Sequence, residues 1–353
     1  MKSIITISVL LLAVVFCAFV QQQYAPHPFK LVVPRGWPKP YPEVFAKNPL
    51  TEEGFQLGRK LFYDTRLSRD SNFACASCHQ QFASFAHYEH DLSHGFNNGL
   101  TTRNAPVLVN LAWMRQMHWD GGINHLEVQP LAPITAPNEM AETIDGVLGK
   151  IRRGSEYPAL FKAAFGDETI NSERMLRALA QFTGSIQSYN TKYDRVMTGK
   201  DSFTVSEQIG YEFFNTYCNS CHKAPLFTDN LYHNTGLPLK PRLKDAGRMQ
   251  VTHLRSDTLK FKTPTLRNIM VSAPYMHDGR FYGFGQVIDH YRNRIDTASP
   301  YIDPLLKKKI IISDQMKIDL MSFLNSLRDD TLLKSARYAP PANSRDFKTD
   351  IHF

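Results

Sequence analysis

The sequence predicts a mainly helical fold made of two similar halves. The pentapeptide Cys-x-x-Cys-His occurs twice, at residues 75–79 and 218–222. Apolar residues recur at helical spacing in long segments such as 173–189 and 315–327. Segments rich in proline and glycine separate the helical segments, and we expect them to form loops. The expected architecture is therefore mainly α, with long loops around two equivalent sites.

Each pentapeptide has the arrangement that attaches haem covalently. Two thiols three positions apart can add to the two vinyl groups of one haem, and the adjoining histidine then becomes the proximal ligand of the iron. A zinc site needs four nitrogen or sulfur ligands and no histidine directly after the second cysteine, so zinc explains the pattern less well, as does a redox-active dithiol. We therefore expect two c-type cytochrome domains with two haem c groups, held by Cys75, Cys78 and His79 and by Cys218, Cys221 and His222.

Residues 1–22 are typical of a signal peptide or an N-terminal anchor. Lys2 precedes an apolar run from Ile4 to Val20, which is at the short edge of the length that spans a membrane. The fifth cysteine, Cys17, lies in this run, so no cysteines remain for a disulfide framework. We expect a periplasmic or otherwise exported protein, because haem c is normally attached on the far side of the membrane. The pattern leaves open whether the leader is cleaved.

An internal repeat becomes visible when the two haem motifs are used as anchors. Upstream of the motifs, residues 56–62 match residues 208–214. Downstream, residues 105–110 match 263–268, and an Asp-Gly pair follows the proline of each segment at the same distance. The repeat predicts that the two haem domains are related by internal duplication.

The chain length suits two such domains. We place the N-terminal haem domain at residues 40–200, the C-terminal haem domain at 201–335 and a tail at 336–353. The net charge of +8 comes from scattered basic residues and does not indicate a protein that binds nucleic acid. The densest basic run, Lys307–Lys309, is typical of a solvated surface, and the alternative is a docking face for an acidic partner. The sequence leaves open whether two copies form a homodimer.

The two iron sites differ at one position of the repeat. Tyr291 lies 13 residues after Asp278, in a segment that looks helical, and the equivalent count from Asp120 leads to Pro133. Because proline has no side-chain donor, we expect the first haem to keep an open position while Tyr291 closes the second. Alternative ligands of the second iron are His290 and Met276. An open iron beside a closed one suits a division of labour between substrate binding and electron transfer.

Between residues 45 and 330 the chain resembles the bacterial diheme cytochrome c peroxidases and, within them, the MauG-type branch. The resemblance is carried by the two haem motifs and by five further segments: Arg103–Pro106, His118–Gln129, Glu139–Met140, Pro264–Asn268 and Ala273–Arg280. It implies that the N-terminal haem is the peroxidatic one and that the C-terminal haem transfers electrons.

The resemblance also implies roles for single residues. Glu139 would be the distal acid/base, and Trp119 would lie between the haems. The axial position 291 is methionine in typical peroxidases and tyrosine in the MauG-type branch, as it is here. A calcium ion would lie at the domain interface, with these expected ligands: Asn104 and the backbone oxygens of Ser272 and Pro274.

One position departs from the typical peroxidases, which carry a loop histidine that closes the peroxidatic iron until the other haem is reduced. The best alignment places Phe96 there, with His94 two residues away. We therefore expect the first iron to be open without prior reduction. The nearby histidines His87, His90 and His94 are interpreted as a solvated loop, with a displaced distal ligand and a separate metal site as alternatives.

Three functions remain in competition. The first is reduction of hydrogen peroxide with electrons from a small exported cytochrome c or copper protein. The second is a MauG-type oxidation of residues of a protein substrate. The third, a diheme electron carrier without catalysis, does not explain an open site or Glu139. Tyr291 favours the second function to some degree, because phenolate donation lowers the haem potential, whereas peroxidase activity is the commoner activity of the family.

Overall fold

The computed structural model describes residues 24–342 and residue 344. The predicted leader lies outside the described residues, as does most of the region after residue 342. Within the described part, the α-helices are α1 Glu52–Phe62, α2 Cys75–Cys78, α3 Leu131–Thr135, α4 Ile144–Arg152, α5 Tyr157–Phe165, α6 Ser172–Ser185, α7 Lys192–Met197, α8 Val205–Tyr217, α9 Met249–Thr252, α10 Phe284–Asp289, α11 Asp314–Asn325 and α12 Asp330–Leu333. Two short strands, β1 Tyr232–His233 and β2 Phe261–Lys262, pair antiparallel. The mainly α prediction is confirmed.

A pair of helices, α1 and α6, forms the centre of the first half. The hydroxyl of Thr51 accepts a hydrogen bond from the backbone N–H of Gly54 and caps the N-terminus of α1. The two helices touch at Gly58, where an added Cβ would lie 1.9 Å from the carbonyl oxygen of Ala178. Only glycine permits this approach. Phe182 then packs against Phe62, with ring centroids 5.0 Å apart.

The second half repeats this arrangement with α8 and α11. Thr204 and Glu207 form a capping box at the start of α8. Gly210 approaches α11 as Gly58 approaches α6, because an added Cβ would lie 2.1 Å from the carbonyl oxygen of Asp319. Phe323 packs against Phe214 with ring centroids 5.1 Å apart. The same contacts at equivalent positions are consistent with the predicted duplication.

Two hydrophobic cores correspond to the two halves. The first is formed mainly by buried residues between Phe55 and Ile186, and the second by buried residues between Tyr193 and Leu327. The C-terminal helix α12 returns to the first half, where Leu332 is buried in the first core. The change of core falls between Ile186 and Tyr193, a few residues before the predicted domain boundary at residues 200 and 201, because Tyr193 of α7 already packs in the second core.

No helix in the described part of the chain is long and apolar enough to cross a membrane. The proposed N-terminal anchor falls within residues 1–22, outside that part.

Candidate haem sites and the cavity between them

A single continuous cavity is lined by residues of both Cys-x-x-Cys-His motifs. Cys78 and His79 line it from the first half, and Cys218, Cys221 and His222 line it from the second. None of the four motif cysteines forms a disulfide. Burial raises the pKa of Cys75 and of Cys218 to about 12, which keeps both as thiols. The fold therefore brings both Cys-x-x-Cys-His motifs to one shared cavity.

Both motif histidines are oriented by backbone carbonyl groups. Nδ1 of His79 lies 2.8 Å from the carbonyl oxygen of Phe85, and Nδ1 of His222 lies 3.2 Å from that of Pro264. Burial lowers the pKa of each histidine to about 4, so both rings are neutral. A neutral ring that donates from Nδ1 leaves Nε2 free to bind a metal. The geometry fits the proximal ligand of a haem iron at both motifs.

One wall of the cavity contains the predicted acid/base. Glu139 lines the cavity together with Ala132 and Pro133 of α3. Its backbone carbonyl accepts a 2.7 Å hydrogen bond from the N–H of Phe96, which fixes the segment. Burial raises the pKa of the Glu139 carboxyl, and no side chain in the described residues pairs with it. A carboxyl of this kind is suited to exchanging protons within the cavity.

Tyr291, the predicted ligand of the second iron, lines the same cavity. Helix α10 ends at Asp289 and continues as a π-helical turn over His290–Arg294, which carries Tyr291 into the cavity lining. Burial and the neighbouring thiols of Cys218 and Cys221 raise the pKa of its hydroxyl. Single π-helical turns are frequent at functional sites because they redirect side chains.

The two alternative ligands of the second iron differ in position. Nε2 of His290 lies 3.0 Å from the carbonyl oxygen of Thr235, and His290 is not among the cavity-lining residues of the described chain. Met276 does line the cavity. Tyr291 and Met276 are therefore the remaining candidates for the axial ligand of the second iron.

Trp119 lines the same cavity as both motifs. Its indole Nε1 donates a 2.8 Å hydrogen bond to the carbonyl oxygen of Asn104. Its own carbonyl accepts a 2.7 Å bond from the N–H of Lys262 in β2. The tryptophan is therefore held by one segment of each half.

The proposed calcium ligands are partly brought together. Nδ2 of Asn104 lies 2.7 Å from the carbonyl oxygen of Pro274, whereas Oδ1 of Asn104 is buried without a hydrogen-bond partner. Ser272 lines the same cavity. Amide and carbonyl oxygens are ligands that calcium prefers, and exchanging the two amide atoms of Asn104 would direct Oδ1 toward Pro274. The orphaned oxygen fits a cation at this interface.

The three loop histidines lie side by side, with ring centroids 5.7 Å apart for His87 and His90 and 5.3 Å apart for His90 and His94. Nδ1 of His94 lies 2.6 Å from Oδ1 of Asn98, and neither His94 nor Phe96 is among the described residues that line the cavity. His87 is buried rather than solvated. The three rings do not gather as a group of metal ligands; the described residues contain one such group, Cys221, Asp229 and His233, whose cysteine belongs to the second haem motif.

The structure adds charged residues that the sequence did not single out. His233 lies between Asp229 and Asp303, at 2.9 Å and 2.6 Å, and these hydrogen bonds together with Cys221 raise its pKa to about 11. Lys262 and Lys308 also line the cavity, Lys262 partly buried and Lys308 exposed. No short motif marks these residues, because their place at the cavity depends on how β1, β2 and the segment before α11 are assembled.

The chain belongs to the di-haem cytochrome c peroxidase family, whose model matches residues 52–202. The chain is 34% identical over 303 residues to the methylamine utilization protein MauG of Methylophilus methylotrophus, which covers 83% of this chain and 88% of the relative. It is 32% identical over 255 residues to a cytochrome c551 peroxidase of Nitrosomonas europaea, covering 68% and 73% of the two chains.

A solved structure shows the same fold. The crystal structure of a MauG-like protein associated with microbial copper homeostasis superposes with a TM-score of 0.82 at 31% sequence identity, covering 89% of this chain and 99% of that chain. Membership of this family supports the prediction that the chain carries two haem c groups and is an oxidoreductase.

Proposed function

We propose that the protein reduces hydrogen peroxide to water at its N-terminal haem, with electrons that arrive through its C-terminal haem. The observation that carries the proposal is the position of Glu139, a partly buried carboxyl without a side-chain partner among the described residues, in the cavity that Pro133 and His79 also line. A relative named as a cytochrome c551 peroxidase is consistent with this activity.

Glu139 would move the proton during cleavage of the O–O bond. A haem bound at His79 supplies the iron centre at which peroxide is reduced. The Glu139 carboxylate accepts the proton of the oxygen nearer to the iron and returns it to the outer oxygen, so that water leaves rather than hydroxide. Two electrons and two further protons complete the conversion of one peroxide into two water molecules. Pro133 presents no side-chain donor and leaves the space beside Glu139 free for peroxide.

Trp119 is proposed to carry electrons between the two sites. It is the tryptophan of the cavity wall within the described residues, and segments of both halves fix it through hydrogen bonds. Tyr291 is proposed as the axial ligand that closes the second iron. A closed iron exchanges electrons without binding substrate, which is the role that the division of labour requires.

The electron donor is proposed to be a small cytochrome c or copper protein with an acidic face. The mouth of the cavity on the side of the second motif contains Tyr217 and Leu305, which are 48% and 56% exposed. Lys308 and Lys309 line the same mouth and are exposed, and in the described part of the chain no carboxylate pairs with them. An apolar centre with a cationic rim suits a transient acidic partner. Export of the protein, inferred from the leader, would place it with such donors.

A MauG-type oxidation of a protein substrate is the second candidate. Tyr291 favours it, because a phenolate stabilises oxidised iron and makes the second haem a poorer acceptor of electrons from a high-potential donor. The similarity of the chain to MauG and to a MauG-like protein is consistent with this activity.

Donor oxidation distinguishes the two candidates. The purified protein with both haems is mixed with peroxide and a reduced small cytochrome c or copper protein, and donor oxidation is followed optically. Peroxidase activity predicts two donor molecules oxidised for each peroxide over many turnovers. Consumption of peroxide without donor oxidation, accompanied by oxidised residues in an added protein, would instead support the MauG-type activity.

A further inference from the structure

Lys262 places an ammonium group at the cavity without a carboxylate partner from the chain. Its Nζ donates a 2.6 Å hydrogen bond to the carbonyl oxygen of Gln116 and lies 3.8 Å from the sulfur of Met114. An ammonium group has three donors, so this environment leaves part of its bonding capacity unused. Among the described residues, no carboxylate lies within 4 Å of it.

The carboxylate that acts electrostatically on Lys262, that of Asp120, already has another cationic partner. Asp120 acts on Lys262 only at longer range, because its carboxylate pairs with Arg103 at 2.5 Å. Burial lowers the pKa of Lys262 to about 8, which Asp120 partly offsets. A largely desolvated cation without a counter-charge destabilises the folded chain. An anion that is not part of the polypeptide would remove this cost.

Other cations of the cavity wall are compensated or solvated. Arg103 pairs with Asp245 as well as with Asp120. His233 lies between two aspartates, and Lys308 and Lys309 are exposed at the mouth. Within the described chain, Lys262 is therefore the partly buried cation of this cavity wall that lacks an anion.

Haem supplies anions of the required kind, because each haem carries two propionate carboxylates. We propose that Lys262 binds a propionate carboxylate of one of the two haems beside Trp119. The proposal rests on the assignment of two haems to this cavity. The backbone N–H of Lys262 donates a 2.7 Å hydrogen bond to the carbonyl oxygen of Trp119. The proposed anchor of the propionate and the indole therefore lie on two hydrogen-bonded segments. Lys262 is thus a positioning residue, which fixes one haem relative to the tryptophan.

The ion pair has an electrochemical consequence. A cation near the haem favours the ferrous state, which carries one positive charge fewer than the ferric state. Loss of Lys262 would leave a propionate without compensation and disfavour reduction. The reduction potential of one haem should therefore fall when the charge is removed.

The test compares Lys262→Met with Lys262→Arg in the protein that carries both haems. Spectroelectrochemical titration measures the two reduction potentials, and haem staining with intact mass measures the haem content. We expect Lys262→Met to lower one potential while Lys262→Arg stays close to wild type. Lys200→Met, which removes an exposed lysine away from the cavity lining, is the matched control and should leave both potentials unchanged.

Each outcome decides the proposal. Loss of one haem in Lys262→Met but not in Lys262→Arg also supports the proposal, because arginine keeps the positive charge and methionine removes it. Unchanged potentials in a fully loaded Lys262→Met protein overturn it, as does equal loss of haem in both variants, which would assign Lys262 a packing role. Potentials are measured without peroxide, so a failure of the proposed peroxidase activity does not affect this result.

Discussion

Trp119 donates its indole hydrogen bond to the backbone carbonyl of Asn104 at 2.8 Å, and the side chain of Asn104 in turn contacts Pro274 of the second half. The proposed relay and the proposed calcium site therefore share one residue. A substitution at either site should alter the geometry of the other, because Asn104 is buried and its backbone carbonyl positions the indole.

Replacing Trp119 by phenylalanine should slow electron transfer between the two haems while both remain attached. The ring keeps an apolar contact with the cavity but loses the N–H and the more easily oxidised indole. Stopped-flow reduction of the second haem, followed by the appearance of ferrous first haem, measures the step. Trp37→Phe, outside the cavity lining, is the control. An unchanged rate in Trp119→Phe would remove the tryptophan from the relay.

Tyr291→Met should raise the reduction potential of the low-spin haem, because a thioether donates less negative charge to ferric iron than a phenolate. The oxidised wild type should show one high-spin and one low-spin haem by electron paramagnetic resonance. Tyr291→Phe should lose the low-spin signal. If that signal persists unchanged in Tyr291→Phe, Met276, which also lines the cavity, becomes the candidate ligand.

Glu139→Gln should keep both haems and their spectra yet slow peroxide turnover by on the order of 10²-fold or more. The amide preserves the size of the side chain but cannot exchange the proton. Burial raises the pKa of Glu139 above its ordinary 4.5, so wild-type activity should decline as the pH falls through this raised value, because the base must be ionised. The decline should be absent in Glu139→Gln. A variant with full activity would exclude Glu139 from the mechanism.

Gly58→Ala and Gly210→Ala should each destabilise the protein by about 1–3 kcal/mol, the usual range for overpacking. In both cases the new methyl group meets a backbone carbonyl of the partner helix. Gly149→Ala in α4 is the control, since its added Cβ would meet only Arg153 at 3.8 Å. Chemical denaturation of the haem-loaded proteins measures the differences. Equal stability of all three variants would contradict the close helix contacts.

Removal of calcium by a chelator should lower the melting temperature of the wild-type protein if the proposed site is occupied. The orphaned Oδ1 of Asn104 is the expected ligand. Asn104→Ala should abolish the response to chelator and to added calcium. A wild-type melting temperature that is independent of both would show that the buried amide has a structural role instead.

Much of the fold was predictable because its signals are local in the chain. The helices α6 and α11 follow apolar periodicity, and each ends a few residues before the periodic segment does. The segment of Tyr291 was correctly expected to be helical, but its π-helical turn was not, since no short pattern distinguishes that turn from a regular helix. The loop around His87 was expected to be solvated, yet His87 is buried, because packing rather than polarity decided its environment.

The sequence by itself located the two predicted haem attachment motifs and the repeat around them, since the thiols and the histidine of each motif are neighbours in the chain. Only the tertiary structure decided that both motifs face one cavity, that Glu139 lies in its wall without a side-chain partner in the described residues, and that Lys262 lies there without a carboxylate. These features depend on contacts between residues far apart in sequence. Burial and charge compensation arise from such contacts, so local spacing cannot encode them.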